Sequence, residues 1–271
     1  MNKTVLSILG IALILTACNA CNNDKPSSDS SSTGTTGVTM PATLSYTVLN
    51  VYPHDTAAFT EGLEWHGGFL YESTGEHNSK LAKVNLKDGK DVQKITFPST
   101  TFGEGITVIN DKLYQLTYQQ GVCYVYDFKT FKKIGEFTYD GEGWGMTTDG
   151  KHLINNNGGD KLYFRDPETF KVTNIVSVSD NNGPLGAINE LEWVDGVIYA
   201  NVYMTNTIVK IDPETGKVLA KADMSGLLEK YGQGANIEHV DVLNGIAYNK
   251  DTKTFYITGK YWPKLFEVKF N

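Results

Sequence analysis

The sequence predicts an all-β fold: a five-bladed β-propeller built from four-stranded antiparallel blades. Two repeated patterns and one compositional bias lead to it. A hairpin-like segment recurs five times, and a turn-centred element follows each of its first four occurrences. The chain is also rich in glycine (27) and in Tyr, Phe and Trp (15, 12 and 4), with only 8 prolines. Short strands joined by Gly, Asn and Asp turns have that profile. At 271 residues with 40% apolar content, the chain is long enough for a substantial core.

The elements are taken in chain order. Residues 1–17 read MNKTVLSILGIALILTA, one lysine ahead of an apolar run from Val5 to Leu15. The run is too short to span a bilayer and has the form of a secretory signal. It ends in Leu15-Thr16-Ala17-Cys18, which resembles a bacterial lipobox. That resemblance implies cleavage before Cys18, acylation of Cys18 and a membrane tether made by the acyl chains. The expected location is therefore the bacterial cell envelope, exported and lipid-anchored on its periplasmic or surface face. Residues 18–44 contain the Ser/Thr/Gly-rich stretch PSSDSSSTGTTGVT and are expected to form a flexible tether. Residues 45–271 are expected to form the propeller.

The hairpin segments start at Glu61 (EGLEWHGGFLY), Glu104 (EGITVINDKLY), Trp144 (WGMTTDGKHLI), Asn189 (NELEWVDGVIY) and Asn244 (NGIAYNKDTKTFY), at spacings of 43, 40, 45 and 55 residues. Each places a Gly, Asp or Asn turn between two apolar stretches. The second element appears as KVNLKDGK, VYDFKTFK, FRDPETFK and KIDPETGK. Its turns open at Asn85, Asp127, Asp166 and Asp212, residue types that hydrogen-bond to their own backbone. Four strands in 40–50 residues are the arithmetic of a propeller blade. The alternating segment Ser45–Val51 is expected to close the ring as the outer strand of the last blade. Met224–Tyr231 is the only helical candidate.

The repeat also locates a site. Innermost strands line a propeller's channel, and their entry residues crowd one mouth. Superposing the repeats brings together Glu61, Glu104, Trp144, Asn189 and Asn244. A second equivalent set is Gly75, Tyr118, Gly158, Tyr203 and Lys260. The two rings describe an aromatic-walled pocket carrying carboxylates, amides and one ammonium. A carboxyl group between aromatic walls loses hydration, so its pKa rises towards a value useful for proton transfer. That makes Glu104 or Glu61 the credible acid–base group, with Lys260 opposing the shift or stabilising negative charge on oxygen. Trp65 and Trp193 read as blade packing, and Glu64 and Glu192 as braces between blades. Trp262 fits rim or core equally well. Cys123, in an alternating run, reads as a packed strand residue.

Other chemistries find little support. The five histidines are scattered, and no HExxH or CxxC spacing is present. The expectation is thus no metal and no cofactor for catalysis. Asp- and Asn-rich turns leave room for a structural calcium, although no EF-hand pattern occurs. A net charge of −7, from 24 basic and 31 acidic residues, argues against nucleic acid as a partner.

At these residues the sequence resembles a known family. Phe59-Thr-Glu-Gly-Leu-Glu64, Phe102-Gly-Glu-Gly-Ile-Thr107, Glu142-Gly-Trp-Gly-Met-Thr147, Asn189-Glu-Leu-Glu-Trp193 and Leu243-Asn-Gly-Ile-Ala247 are similar to the glutamine cyclotransferases of plant and bacterial type. The similarity runs in register over about residues 45–271. It implies a five-bladed propeller that converts the N-terminal glutamine of peptides or proteins to pyroglutamate, releasing ammonia without a metal. It implies Glu104 as the proton shuttle, Asn189 as an amide donor and Lys260 as the site's lysine. Trp144 becomes the aromatic wall, with Phe59 and Phe102 nearby. Three positions depart from the plant pattern: Glu61 stands where glutamine is usual, and Tyr118 and Tyr203 where tryptophans are usual. Glu61 would add charge for gripping the substrate ammonium, and the tyrosines would keep a flat wall. Two other readings fit the same residues. One is a non-catalytic, lipid-anchored binding propeller. The other is a lactonase-like hydrolase holding a divalent ion between Glu61, Glu104, Asn189 and Asn244. A monomer is expected, because a closed propeller leaves no long free edge.

Overall fold

In a computed structural model, which describes residues 40–232 and 234–271, five antiparallel sheets follow one another along the chain. Blade 1 runs Thr60–His66, Phe69–Thr74, Lys80–Asn85 and Lys90–Thr96. Blade 2 runs Gly103–Ile109, Lys112–Thr117, Val122–Asp127 and Lys133–Thr138. Blade 3 has Met146–Thr148, Leu153–Asn155, Lys161–Arg165 and Val172–Ser177. Blade 4 has Ile188–Val194, Val197–Val202, Thr207–Ile211 and Val218–Asp223. Blade 5 has Leu243–Asn249, Thr254–Gly259 and Lys264–Phe270, and takes its outer strand from the N-terminal side as Tyr46–Pro53. The innermost strand of each blade packs against that of the next, and blade 5 packs back on blade 1. The expected five-bladed propeller is the fold found.

The seams between blades hold the core. Five apolar clusters occur among the described residues, one per seam. Leu63 and Leu70 of blade 1 meet Tyr256 and Leu265 of blade 5, while Tyr71 and Leu81 on the other face meet Ile106 and Leu113 of blade 2. Both faces of a blade are thus buried, so its strands read as apolar stretches rather than strict alternation. Cys123 is fully buried in the seam between blades 2 and 3, and burial raises its thiol pKa. The turn chemistry also holds: Asn85, Asp127, Asp166 and Asp212 each accept, through Oδ1, a backbone N–H two or three residues on, at 2.9–3.0 Å.

Polar side chains stitch the innermost strands together. Glu64 accepts the Thr107 hydroxyl at 3.1 Å, Thr147 Oγ1 accepts Trp193 N–H at 2.9 Å, and Glu192 accepts Tyr248 N–H at 2.7 Å. Glu190 of blade 4 accepts Leu63 N–H of blade 1 at 3.2 Å and Ile246 N–H of blade 5 at 2.8 Å. The ring closure is latched by His54, just past the outer strand of blade 5. Its Nε2 meets Glu72 of blade 1 at 2.8 Å and its Nδ1 meets the Trp262 carbonyl at 2.6 Å.

Three details depart from the sequence expectation. The tether was expected to run to residue 44, yet Ala42–Thr43 pairs in parallel with Ala220 and Lys221 on the outer edge of blade 4. Leu44 N–H donates to Lys221 O at 2.8 Å, and its side chain packs on the seam between blades 4 and 5. The helix is shorter than foreseen, Leu227–Tyr231, anchored by buried Leu227 and Leu228. A 3₁₀ turn at Glu76–Asn78 was not foreseen. The expected signal sequence at 1–17, the expected lipidation site Cys18 and most of the expected tether lie outside the described residues. Among the described residues, no helix is long and apolar enough to cross a membrane.

Candidate active site

The site is made where the innermost strands begin. In blades 1, 2, 4 and 5 the pairing of the first two strands shifts register at that point, between Thr60 and Gly62, Gly103 and Ile106, Ile188 and Leu191, and Leu243 and Ile246. Bulges of this kind re-aim a side chain. The residues they carry are Glu61, Glu104, Asn189 and Asn244. The second ring is set by a repeated backbone bond: the N–H groups of Gly75, Tyr118, Tyr203 and Lys260 donate to the carbonyls of Phe59, Phe102, Ala187 and Val242, at 2.8–3.1 Å. Blade 3 differs. Its first strand starts only at Met146, and Trp144 N–H donates to Asn156 O at 3.2 Å.

An open cavity of about 550 Å³ results, lined by Phe59, Glu61, Phe102, Glu104, Tyr118, Trp144, Asn189, Tyr203 and Lys260 together with Glu76. The nine catalytic and substrate-binding residues expected from the sequence thus share one pocket. Two aromatic clusters line it. Phe102 lies 5.9 Å from Phe59 and 5.5 Å from Tyr118, centroid to centroid, and Trp144 meets Tyr203 edge to face at 5.4 Å. The glycines of the second ring make room for these rings. A Cβ on Gly75 would stand 2.1 Å from the Phe102 ring, and one on Gly158, which has φ +76°, would stand 2.6 Å from Trp144. Glu142 accepts Trp144 Nε1–H at 3.0 Å and holds the indole in place.

The polar groups are nearly sealed from solvent: Glu61 is 3% exposed, Glu104 4%, Asn189 2% and Lys260 4%. Lys260 donates to Glu61 Oε1 in a buried ion pair, and its ammonium lies 4.2 Å from the Phe59 ring centroid and 5.6 Å from that of Tyr203. Asn244 Nδ2 donates to Glu61 Oε2 at 3.2 Å and to Thr60 O at 2.9 Å. Burial pushes the Glu61 carboxyl up to about 7, outweighing the pull of Lys260 in the other direction. Glu104 is raised well above the usual carboxylate range by burial and by the neighbouring Glu61 charge, with Lys260 opposing. Glu104 Oε2 and Asn189 Oδ1 have no hydrogen-bond partner among the described residues. Unpartnered buried polar atoms are costly in a folded protein and are expected where a ligand completes them.

Three comparisons bear on this pocket. The family model for glutamine cyclotransferase matches residues 13–270. This chain belongs to the glutamine cyclotransferase family. Among its relatives, a glutaminyl-peptide cyclotransferase of Arabidopsis thaliana is 37% identical over 229 residues, 82% of this chain and 70% of that protein. The crystal structure of Myxococcus xanthus glutaminyl cyclase matches with a TM-score of 0.79 at 35% identity, covering 85% of this chain and 98% of that one. The chain is thus a cyclotransferase by family, homologue and fold together.

Two cyclotransferase pocket features escaped the sequence reading. Glu76 lines the cavity from the 3₁₀ turn, at φ +57°, and accepts the Tyr261 hydroxyl. Its signal was weak: it directly follows Gly75, as Tyr261 directly follows Lys260. Glu142 stood inside a recognised motif, yet its bond to Trp144 depends on a side-chain orientation that spacing does not encode. Trp262, left open between rim and core, is buried and donates Nε1–H to Asp241 O at 2.8 Å.

Proposed function

We propose that this pocket folds an N-terminal glutamine so that its α-amine attacks its own γ-carboxamide carbon. A C–N bond forms to the α-nitrogen, the bond to the amide nitrogen breaks, and ammonia leaves. Glu104 takes the proton from the attacking amine and delivers it to the departing nitrogen. Because the nucleophile belongs to the substrate, no covalent nucleophile is required, and orientation supplies much of the acceleration. The observation that carries this reading is the unpartnered, buried Glu104 Oε2 in a cavity it shares with Lys260 and five aromatic side chains. Its raised pKa brings its proton affinity nearer that of an α-amine, about 7.7–8.0 unperturbed. Proton exchange in either direction then costs little.

Lys260 supplies positive charge for the carbonyl oxygen as it becomes negative. Glu61, expected to grip the substrate ammonium, is committed to Lys260 and Asn244, and its part in this reading is to hold the lysine. The resemblance implied Asn189 as a donor. The free atom here is Oδ1, an acceptor, which supports a bond from the substrate's amine or carboxamide N–H. Phe59, Phe102, Tyr118, Trp144 and Tyr203 clamp the aliphatic stem and exclude water.

The reaction as proposed uses no metal. In the lactonase-like reading an ion held by Glu61 would have to displace the Lys260 ammonium already paired with that carboxylate. Export, acylation at Cys18, anchoring in the bacterial envelope and a monomeric state belong to the same proposal. They are supported by the lipobox-like run and the closed ring. Replacing Cys18 by Ala is expected to move the protein from the membrane to the soluble fraction. The decisive experiment is mass spectrometry of a Gln-initiated peptide incubated with the full chain, with and without chelator. Loss of one ammonia, indifferent to chelator and abolished in Glu104→Gln, is expected. No turnover would return the binding-propeller reading, and abolition by chelator the metal-dependent one.

A further inference from the structure

We propose that the mouth of this pocket selects glutamine peptides whose next residues carry a cation, Lys or Arg, over those that carry a carboxylate. The inference rests on the cyclotransferase reading and concerns the part of the peptide that reading leaves outside the pocket. Glu61, Glu104 and Asn189 seal the inner end, and the unpartnered Glu104 Oε2 and Asn189 Oδ1 mark it as the end that receives the glutamine. The peptide must therefore leave past the partly exposed rim.

Three carboxylates from three different connections lie among the lining residues or directly beside them. Glu76, after the second strand of blade 1, lines the cavity and is held by the Tyr261 hydroxyl. Glu142, between blades 2 and 3, is held by Trp144 Nε1–H at 3.0 Å and Gln119 Nε2–H at 2.9 Å. Those bonds keep its carboxyl below the usual range, so it stays ionised. Asp241, between blades 4 and 5, is exposed, and its backbone is pinned beside the lysine by N–H donation to Lys260 O at 2.9 Å. The fields of Glu76 and Asp241 reach Glu61 and Tyr261, and that of Glu142 reaches Glu104 and Tyr118.

Among the described residues no ion pair balances this charge: none of the three carboxylates takes part in one. Lys260, the cation among the lining residues, is paired with Glu61, one charge against one. A cationic side chain just outside the mouth gains attraction from three directions, and an anionic one meets the same field as repulsion. At such separations in water each contribution is small, so a combined preference of about tenfold is the expected scale. Salt at 0.5 M or more shortens the screening length to a few ångströms and should erase most of it.

The test measures kcat/KM of the full chain for Gln-Lys, Gln-Ala and Gln-Glu peptides of equal length, at low salt and in 0.5 M sodium chloride (about 4 Å screening). The expected Lys-to-Glu ratio is about tenfold at low salt, falling to about twofold in high salt and in the Glu76→Gln/Asp241→Asn variant. The readout is the ratio, so a general loss of activity in the variant does not mimic the result. Equal kcat/KM for the three peptides overturns this proposal and leaves the cyclotransferase reading intact. A ratio unchanged by salt or by the double substitution also overturns it, since another group would then set the preference. No turnover of any peptide, Gln-Ala included, overturns the cyclotransferase reading and this one with it.

Discussion

Two sets of buried carboxylates sit on the same innermost strands, and they differ in one respect. Glu64, Glu190 and Glu192 are set deeper along those strands, whereas Glu61 and Glu104 face the cavity. In both sets burial is the leading cause of a raised pKa. The deeper set is satisfied: Glu190 accepts two backbone N–H groups from two other blades, Glu192 accepts one, and Glu64 accepts a hydroxyl. Glu104 keeps an oxygen with no partner among the described residues. Residue type, burial and pKa shift do not separate a brace from a proton shuttle here. Hydrogen-bond satisfaction does, because a satisfied carboxylate has already spent its lone pairs on the fold.

Substitutions can break this contrast from either side. The largest effect is expected for Glu104→Gln, which should lower kcat by about 10²–10⁴-fold. It should leave the urea midpoint unchanged or higher, because an amide carries no buried charge to desolvate. A clear loss of stability would make Glu104 a brace like the others. Glu190→Ala should show the reverse pattern. Two buried N–H groups, Leu63 and Ile246, lose their acceptor, at about 1–3 kcal/mol each. Urea unfolding would read this as a lower midpoint, with Glu190→Gln less affected. Gly158→Ala probes the wall rather than the carboxylates. Its Cβ would press on the Trp144 ring from a backbone at φ +76°, so KM should rise by about tenfold (about 1.4 kcal/mol) with a smaller change in kcat.

The pH predictions sharpen the same comparison. A carboxyl group with a raised folded-state pKa binds its proton more tightly when folded. Its stabilising effect is full below the unfolded value and declines as pH rises towards the folded value. For Glu64 that window runs from 4.5 to about 7. Buried His54, also raised, acts in the same direction because its charged form is held by Glu72. Urea midpoints should therefore fall as pH rises from 4.5 to about 7 through Glu64, and from 6.5 upwards through His54, at up to about 1.4 kcal/mol per pH unit for each group involved. A flat profile would mean that the braces ionise normally. The smallest effect is expected for Glu61→Gln. The Glu61 charge raises Glu104, so its removal should move the acidic limb of kcat/KM to lower pH by about half a unit to one unit. A shift to higher pH would show that holding Lys260 is the larger contribution of Glu61.

Much of this architecture was legible in the chain. Asp127, Asp166 and Asp212 announce their turns because an Asp side chain reaches the backbone two or three residues on, a local property. The repeat placed Glu61, Glu104 and Asn189 at one equivalent position and Lys260 in the second ring, and the two braces Glu64 and Glu192 fell out of the same alignment. Glu190 went unnoticed because its partners Leu63 and Ile246 lie 127 and 56 residues away. Ala42–Thr43 was assigned to the tether because a two-residue strand carries too little pattern to stand out from a Ser/Thr/Gly-rich run.

The sequence alone determined the blade count, the turns, the closing strand and the residues that face the mouth. These follow from side-chain period and turn chemistry, which act over a few residues and repeat. Only the tertiary structure decided how those residues are spent. Lys260 reaches Glu61 across 199 residues, and Asn244 reaches it across 183. Those bonds leave Glu104 as the carboxylate with an open oxygen. Whether a buried polar group is satisfied depends on what other blades bring to it, and no local pattern carries that information.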